Sequence, residues 1–181
     1  NSVLFRAYYA TLYGSSAMTT TQGIPTNAVY GFVNMLNKAI DLLKPEGVFV
    51  AWDAGKATFR HEMYAEYKGT RKELDDALKT QFPIVREYLD ARGIVRYEET
   101  GIEADDIIGS FVKAHPELEI HILSSDRDLL QLIGENSFVH LMKKGITQLE
   151  KMDKAQLEAD MQLTPSQIID MKALMGDSAD N

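Results

Sequence analysis

Eight carboxylates stand in four close groups along this chain: Asp53; Glu103, Asp105 and Asp106; Asp126 and Asp128; Asp177 and Asp180. Three of the groups follow directly on apolar segments, which read as strands or as a buried helix face. Like charges gathered at one point repel and raise each other's pKa unless a cation sits between them. Ligation by oxygen alone suits Mg²⁺ or Mn²⁺. The chemistry such a set points to is phosphoryl transfer at an acidic centre that holds two metal ions.

A second constellation lies between the first two acidic groups. From Lys56 to Lys72 the chain carries five Lys or Arg residues (Lys56, Arg60, Lys68, Arg71, Lys72) and two acids, with Phe59, Tyr64 and Tyr67 interleaved. Cations that hold phosphates, set beside aromatics that stack on bases, are what a single-stranded nucleic-acid path requires. A solvated loop with its aromatics tucked onto the core has the same composition. Each acidic group also has an ordinary explanation when taken singly. An Asp after a strand often caps a helix or a turn, and Glu-Ala-Asp-Asp can be an acidic first turn answering the helix dipole. Their joint occurrence at comparable places in the chain is what points to a metal centre.

The elements that must position these residues alternate. Val29, Phe32, Val33, Leu36, Ile40 and Leu43 recur at helical spacing and predict an amphipathic helix over 26–44. A buried strand over 47–52 ends at Asp53, and the basic stretch 54–72 follows with no clear periodicity, a long connection of the kind that is usually functional. A helix over 74–92 carries an irregularity at Pro83 and stops at Gly93. Then come a strand (94–97), a helix (103–115), a strand (119–123), a short helix (128–133) and a strand (138–142). Thr164 and Pro165 open a last helix that runs to Met175. Alternation of this kind implies βαβ units around a largely parallel sheet covered on both faces. In such sheets ligands bind beyond the carboxyl ends of the strands, which is where Asp53, Asp126 and Asp128 fall. Glu103 and Asp106, three apart, share a helix face.

Composition excludes several classes. No run approaches the roughly 20 apolar residues of a membrane span, and no signal peptide is visible. With no cysteine the chain has neither disulfides nor thiolate metal sites, and it fits a reducing compartment. The formal net charge of −8 looks wrong for a nucleic-acid partner. The eight grouped carboxylates account for all of it, however, so the remainder is formally neutral. The histidines (His61, His115, His121, His140) are scattered and read as surface or packing residues, with His61 inside the basic stretch. The ends read as those of a fragment: Asn1 opens without a methionine, and Asn181 stops inside a loop-like string.

Seven phrases appear in order: Ala-Val-Tyr-Gly-Phe (28–32), Ala-Trp-Asp (51–53), Phe-Arg-His-Glu (59–62), Tyr-Lys-Gly-Thr-Arg (67–71), Gly-Ile-Glu-Ala-Asp-Asp (101–106), Ser-Ser-Asp-Arg-Asp-Leu-Leu-Gln-Leu (124–132) and Met-Gly-Asp-Ser-Ala-Asp-Asn (175–181). Together they resemble the 5′-nuclease domain of bacterial DNA polymerase I, within the flap-endonuclease family, over nearly the whole chain. The resemblance implies one PIN-like, resolvase-like three-layer α/β domain over 1–181 with a largely parallel central sheet and a flexible basic arch. It implies a 5′-3′ exonuclease and 5′-flap endonuclease, dependent on two divalent cations (Mg²⁺ or Mn²⁺), that acts in DNA replication, repair and removal of Okazaki-fragment primers.

By position, Asp53, Glu103, Asp105 and Asp106 would surround the first metal, and Asp126, Asp128, Asp177 and Asp180 would form the second. Arg60, Lys68 and Arg71 match the arch positions that orient the scissile phosphate, so that with Asp53 they form the expected catalytic set. Tyr67 is a stacking candidate, and Arg60, Tyr67, Lys68 and Arg71 together would bind DNA. The implied partners are DNA with 5′ flaps or nicks and RNA-primed ends; the implied protein is monomeric, with no membrane association, in the bacterial cytoplasm at the nucleoid. Two departures from the family pattern are expected. A strand ending in a metal-ligand Asp precedes the position of Asn1 in the family, and a helix-hairpin-helix DNA-binding module and a polymerase domain follow the position of Asn181. Two other readings remain: a non-catalytic flap-binding module, and a different acidic phosphoryl-transfer domain such as a PIN ribonuclease or a phosphatase.

Overall fold

The first helix, α1 (Ser2–Leu12), buries Leu4, Ala7 and Tyr8. It packs on α2 (Asn27–Leu43), whose buried residues Ala28, Gly31, Phe32, Met35, Leu36 and Ala39 make a stripe at three- and four-residue spacing. The two helices approach closely at one point. A Cβ on Gly31 would lie 2.8 Å from the Cβ of Ala7 and 3.2 Å from its Cα, so only a glycine fits there. The chain is described here from a computed structural model over residues 2–12, 18–55, 57–69, 73–142 and 148–176. It divides into two units: Asn1–Val50, Glu73–Tyr97 and Met142–Leu149 in the first, and Ala51–Lys72, Glu98–Leu141 and Glu150–Asn181 in the second.

β1 (Phe49–Ala51) pairs with β2 (Val95–Tyr97). The helix expected over 74–92 is two helices, α4 (Asp76–Lys79) and α5 (Gln81–Ala91), with the break at Thr80. Pro83 is the third residue of α5, in the first turn, where a missing N–H costs no helical hydrogen bond. Asp75 caps α4 by accepting from the Ala77 N–H at 2.9 Å, and its other oxygen accepts the Tyr8 hydroxyl at 2.5 Å. Gln81, fully buried, does for α2 what Thr26 does not. Its Oε1 accepts from the N–H groups of Ala28 (2.7 Å) and Val29 (3.2 Å), while its Nε2 donates to Asn27 Oδ1 and Ala77 O. The free donors of a helix start are thus satisfied from a residue 53 positions away.

The second unit holds the ladder β3 (Ile120–Ser124), β4 (Ser137–Met142) and β5 (Leu149–Met152). β3 and β4 run parallel, with Ile120 opposite Ser137 and Ser124 opposite Leu141. Helices α6 (Ala104–Ala114), α7 (Lys154–Met161) and α8 (Pro165–Met175) and a 3₁₀ turn (Asp128–Leu132) complete it. Ile122, Leu129, Leu130, Ile133, Val139, Leu141, Met152, Leu157 and Ile168 form one buried cluster. Two of these elements, β5 and α7, have no forecast in the sequence. β5 is short and interrupted by Glu150 and Lys151, and α7 fully buries Leu157 alone, leaving no stripe to read. Within the basic stretch, forecast as irregular, lies one more helix, α3 (Phe59–Met63), in which His61 Nδ1 accepts the Thr58 N–H at 3.1 Å.

Candidate active site

The carboxylates of the second unit are fixed by the start of α6. Glu103 is its N-cap, and its N–H donates to Asp106 at 3.2 Å. Asp53, just past β1, accepts the N–H of Ala104, the first residue of α6, at 2.8 Å. The acidic first turn does answer the helix dipole, and the same bonds hold three acidic side chains at one helix start. Asp105 keeps an exposed surface but stands in crowded surroundings. Desolvation, and after it the charges of Asp126, Asp53 and Glu103, pushes its carboxyl up to about 6. Three of the four acidic groups therefore share one electrostatic field.

Cations from the basic stretch meet two of these acids directly. Arg60 forms a fork with Asp106, Nη1 to Oδ2 at 2.6 Å and Nη2 to Oδ1 at 2.7 Å, and this holds the Asp106 carboxyl below the usual range. The Lys68 ammonium lies 2.9 Å from both oxygens of Glu103, and the Tyr67 hydroxyl donates to the same carboxylate at 3.2 Å. Each cation also rests on a ring, Arg60 at 4.6 Å from the centroid of Phe59 and Lys68 at 4.9 Å from that of Tyr67. Tyr67 is committed to Glu103 through its hydroxyl and to the edge of His61 through its ring, whereas Phe59 and Tyr64 are exposed.

The turn after β3 supplies the next pair. Ser124, buried, accepts the Asp126 N–H at 3.0 Å, and Asp126 Oδ1 accepts the Asp128 N–H at 2.9 Å, an Asx turn that locks the loop. Lys172 of α8 places its ammonium 2.8 Å from Asp128. Neither Ser124 nor Lys172 stands out in the sequence. A serine ending a strand and a lysine within a helix have no spacing signature, and only the packing of α8 on the 3₁₀ turn brings Lys172 to the acid. Arg71, Asp177 and Asp180, with Lys56 and Lys72, lie outside the described residues.

Among the described residues, no three His, Asp or Glu side chains are drawn together tightly enough to hold a metal ion. Asp106, Glu103 and Asp128 each hold a protein cation. The donors nevertheless fit a hard divalent ion. They are all carboxylates, and such an ion would favour the ionised form of Asp105 against the desolvation that raises it and the neighbouring charges of Asp126, Asp53 and Glu103.

Fold and site together define a mixed α/β domain whose acidic centre is met by a basic, aromatic segment. The chain belongs to the family of the 5′-3′ exonuclease, N-terminal resolvase-like domain, whose model matches residues 1–162. It is 45% identical over 183 residues to DNA polymerase I of Streptococcus pneumoniae, covering 100% of this chain and 21% of that protein. It is 36% identical over 181 residues to a 5′-3′ exonuclease of Bacillus subtilis, covering 99% of this chain and 61% of the relative. The chain thus spans about a fifth of the polymerase relatives it matches. The same fold is found in the phage T5 5′-exonuclease with bound zinc (TM-score 0.73, 21% identity, 100% of this chain and 66% of that one). A phage T5 flap endonuclease complexed with DNA and metal ions shares it too (TM-score 0.73, 22% identity, 99% and 65%). No helix among the described residues is long and apolar enough to cross a membrane.

Proposed function

We propose that the chain is the catalytic 5′-nuclease part (residues 1–181) of a DNA polymerase I, hydrolysing phosphodiesters at 5′ ends and 5′ flaps of DNA with two divalent cations, Mg²⁺ or Mn²⁺. The observation that carries this reading is the shared field of Asp53, Glu103, Asp105 and Asp126, with Asp105 pushed up to about 6. Crowded carboxylates of this kind favour a site built around cations over a plain binding module. Family membership and metal-bound relatives of the same fold support it.

In this mechanism Asp53, Glu103, Asp105 and Asp106 would hold one cation, and Asp126 and Asp128, with Asp177 and Asp180, would hold the other. Cations held there would supply Lewis-acid polarisation of the phosphodiester and a water nucleophilic at neutral pH. Arg60 and Lys68, with Arg71, bind the nonbridging oxygens of the phosphate and orient it. Tyr67 holds the Lys68 ammonium over one face of its ring, and a 5′-terminal base would stack on the other. The Asx turn at Asp126 keeps Asp126 and Asp128 preorganised. The substrates are flapped or nicked DNA, with RNA-primed ends included. The protein acts as a monomer at the nucleoid.

A 5′-labelled flap incubated with Mg²⁺, Mn²⁺ or EDTA, using the protein in its full natural length, tests the reading. Metal-dependent cleavage near the flap junction is the expected result, and Asp128→Asn should abolish cleavage while leaving flap binding in Ca²⁺ nearly intact. Lys68→Ala should weaken flap binding and lower the slope of its salt dependence by about one phosphate contact. Binding without cleavage would return a mere flap-binding module. Cleavage of unstructured RNA or of a nitrophenyl phosphate without flap preference would return a different phosphoryl-transfer domain.

A further inference from the structure

Lys68 and Glu103 have separate duties in the proposed function, one toward DNA phosphate and the other toward a cation, yet in this structure they hold each other. The ammonium is 2.9 Å from both Glu103 oxygens, and Arg60 Nη1 stands 3.8 Å from one of them. One turn further along α6, both oxygens of Asp106 are taken by Arg60. The Glu103 side chain is only 13% exposed, so an entering cation meets these partners before bulk water. Lys68 makes its contact from a left-handed backbone, φ 56°, which L residues rarely adopt. It sits in a turn run, Tyr64 to Gly69, in which the Tyr67 N–H donates to Tyr64 O and the Gly69 N–H to Glu66 O, and no side chain of that run is fully buried.

We propose that the segment Thr58–Gly69 is an internal counter-ion latch: Arg60 and Lys68 occupy Asp106 and Glu103 in place of a divalent cation, and cation entry sets both side chains free for phosphate. The latch rests on the reading of Glu103 and Asp106 as metal ligands. A carboxylate that already faces an ammonium at 2.9 Å binds a second cation less readily while that partner stays, because the two cations repel at such range. Coupling of this kind is reciprocal. Cation binding raises the affinity for phosphate by releasing Lys68 and Arg60, and a phosphate that draws them away raises the affinity for the cation. The acidic centre and the basic segment therefore load together.

Two measurements on the full chain decide this. Free Mn²⁺ is counted by its paramagnetic signal during titration of wild type, Lys68→Met and Asp105→Asn. Amide hydrogen exchange over Tyr64–Gly69 is followed in EDTA and in Mn²⁺. The latch requires both that Lys68→Met bind Mn²⁺ about fivefold more tightly than wild type and that Mn²⁺ speed exchange over Tyr64–Gly69 in wild type. Undiminished Mn²⁺ binding by Asp105→Asn would overturn the metal-centre reading, and the latch with it. Loss of Mn²⁺ binding in Asp105→Asn, with no tightening in Lys68→Met, would leave that reading standing and overturn the latch alone. Tightening with unchanged or slower exchange would mean only that a repelling charge had gone, and would overturn it equally. The exchange arm uses the unaltered chain, so it stays decisive if a variant fails to fold.

Discussion

Arg60 grips both oxygens of Asp106, at 2.6 and 2.7 Å, across 46 residues of chain. The pair is partly exposed, so its worth lies near the surface range. Arg60→Met should cost about 0.5–1 kcal/mol of stability in EDTA at low salt. Urea denaturation at two ionic strengths checks this, because the difference should shrink in high salt. An equal cost at both would mean that packing of the guanidinium on Phe59 dominates.

Asp105 gives a pH dependence with a defined sign. Its folded pKa, about 6, is above the ordinary 3.8, so the native state binds a proton that the unfolded chain has released. Its contribution to stability is present below about 3.8 and is lost as pH rises through about 6. Asp105→Asn should therefore raise the melting temperature in EDTA at pH 7.5, and the gain should fade on acidification toward pH 4. The same variant should lose the stabilisation that Mn²⁺ confers on wild type by mass action. Glu117→Gln, an exposed position outside the acidic groups, should keep that response. A melting temperature that does not rise in EDTA would show that Asp105 feels no crowding.

Gly31 against Ala7 is a packing prediction. A Cβ at Gly31 meets the Ala7 Cβ at 2.8 Å, with the Ala7 backbone close behind. Gly31→Ala should destabilise by about 1–3 kcal/mol, despite the better helix propensity of alanine. Ala7→Gly, costly by itself, should recover part of that loss in the double variant. Additive losses in a double-mutant cycle would show that the helices separate rather than clash.

His140 titrates in the opposite direction to Asp105. Burial first, and then the charges of His121 and Lys151, push its imidazole down to about 4. His121 Nδ1 is 2.8 Å from His140 Nε2, and His121 Nε2 is 2.9 Å from Glu119, so these imidazoles share a short relay. The unfolded chain takes up a proton that folded His140 refuses. Stability is therefore full above pH 6.5 and falls as pH drops toward about 4. His140→Gln should flatten that part of the profile of unfolding free energy against pH. An unchanged slope between pH 6.5 and 4 would assign it to other groups.

The sequence by itself determined what local pattern can determine. Helical periodicity placed α2, Thr164 and Pro165 placed the start of α8, and apolar runs before Asp53 and Asp126 placed two acids at strand ends. In each case the signal lies within a dozen residues, where period, capping and turn chemistry act. The acidic groups were legible as a set because excess like charge is a compositional fact. Their partners were not. That Asp53 would bind the first N–H of α6, that Gln81 would cap α2, and that Lys172 would reach Asp128 depend on which elements pack together. Nothing in the spacing of those residues records such packing. The tertiary structure also decided the state of the centre. Sequence reading grouped the acids and set the bases apart from them. The fold pairs Glu103 with Lys68 and Asp106 with Arg60, because unpaired charges at partly buried positions cost more than the order given up to join them.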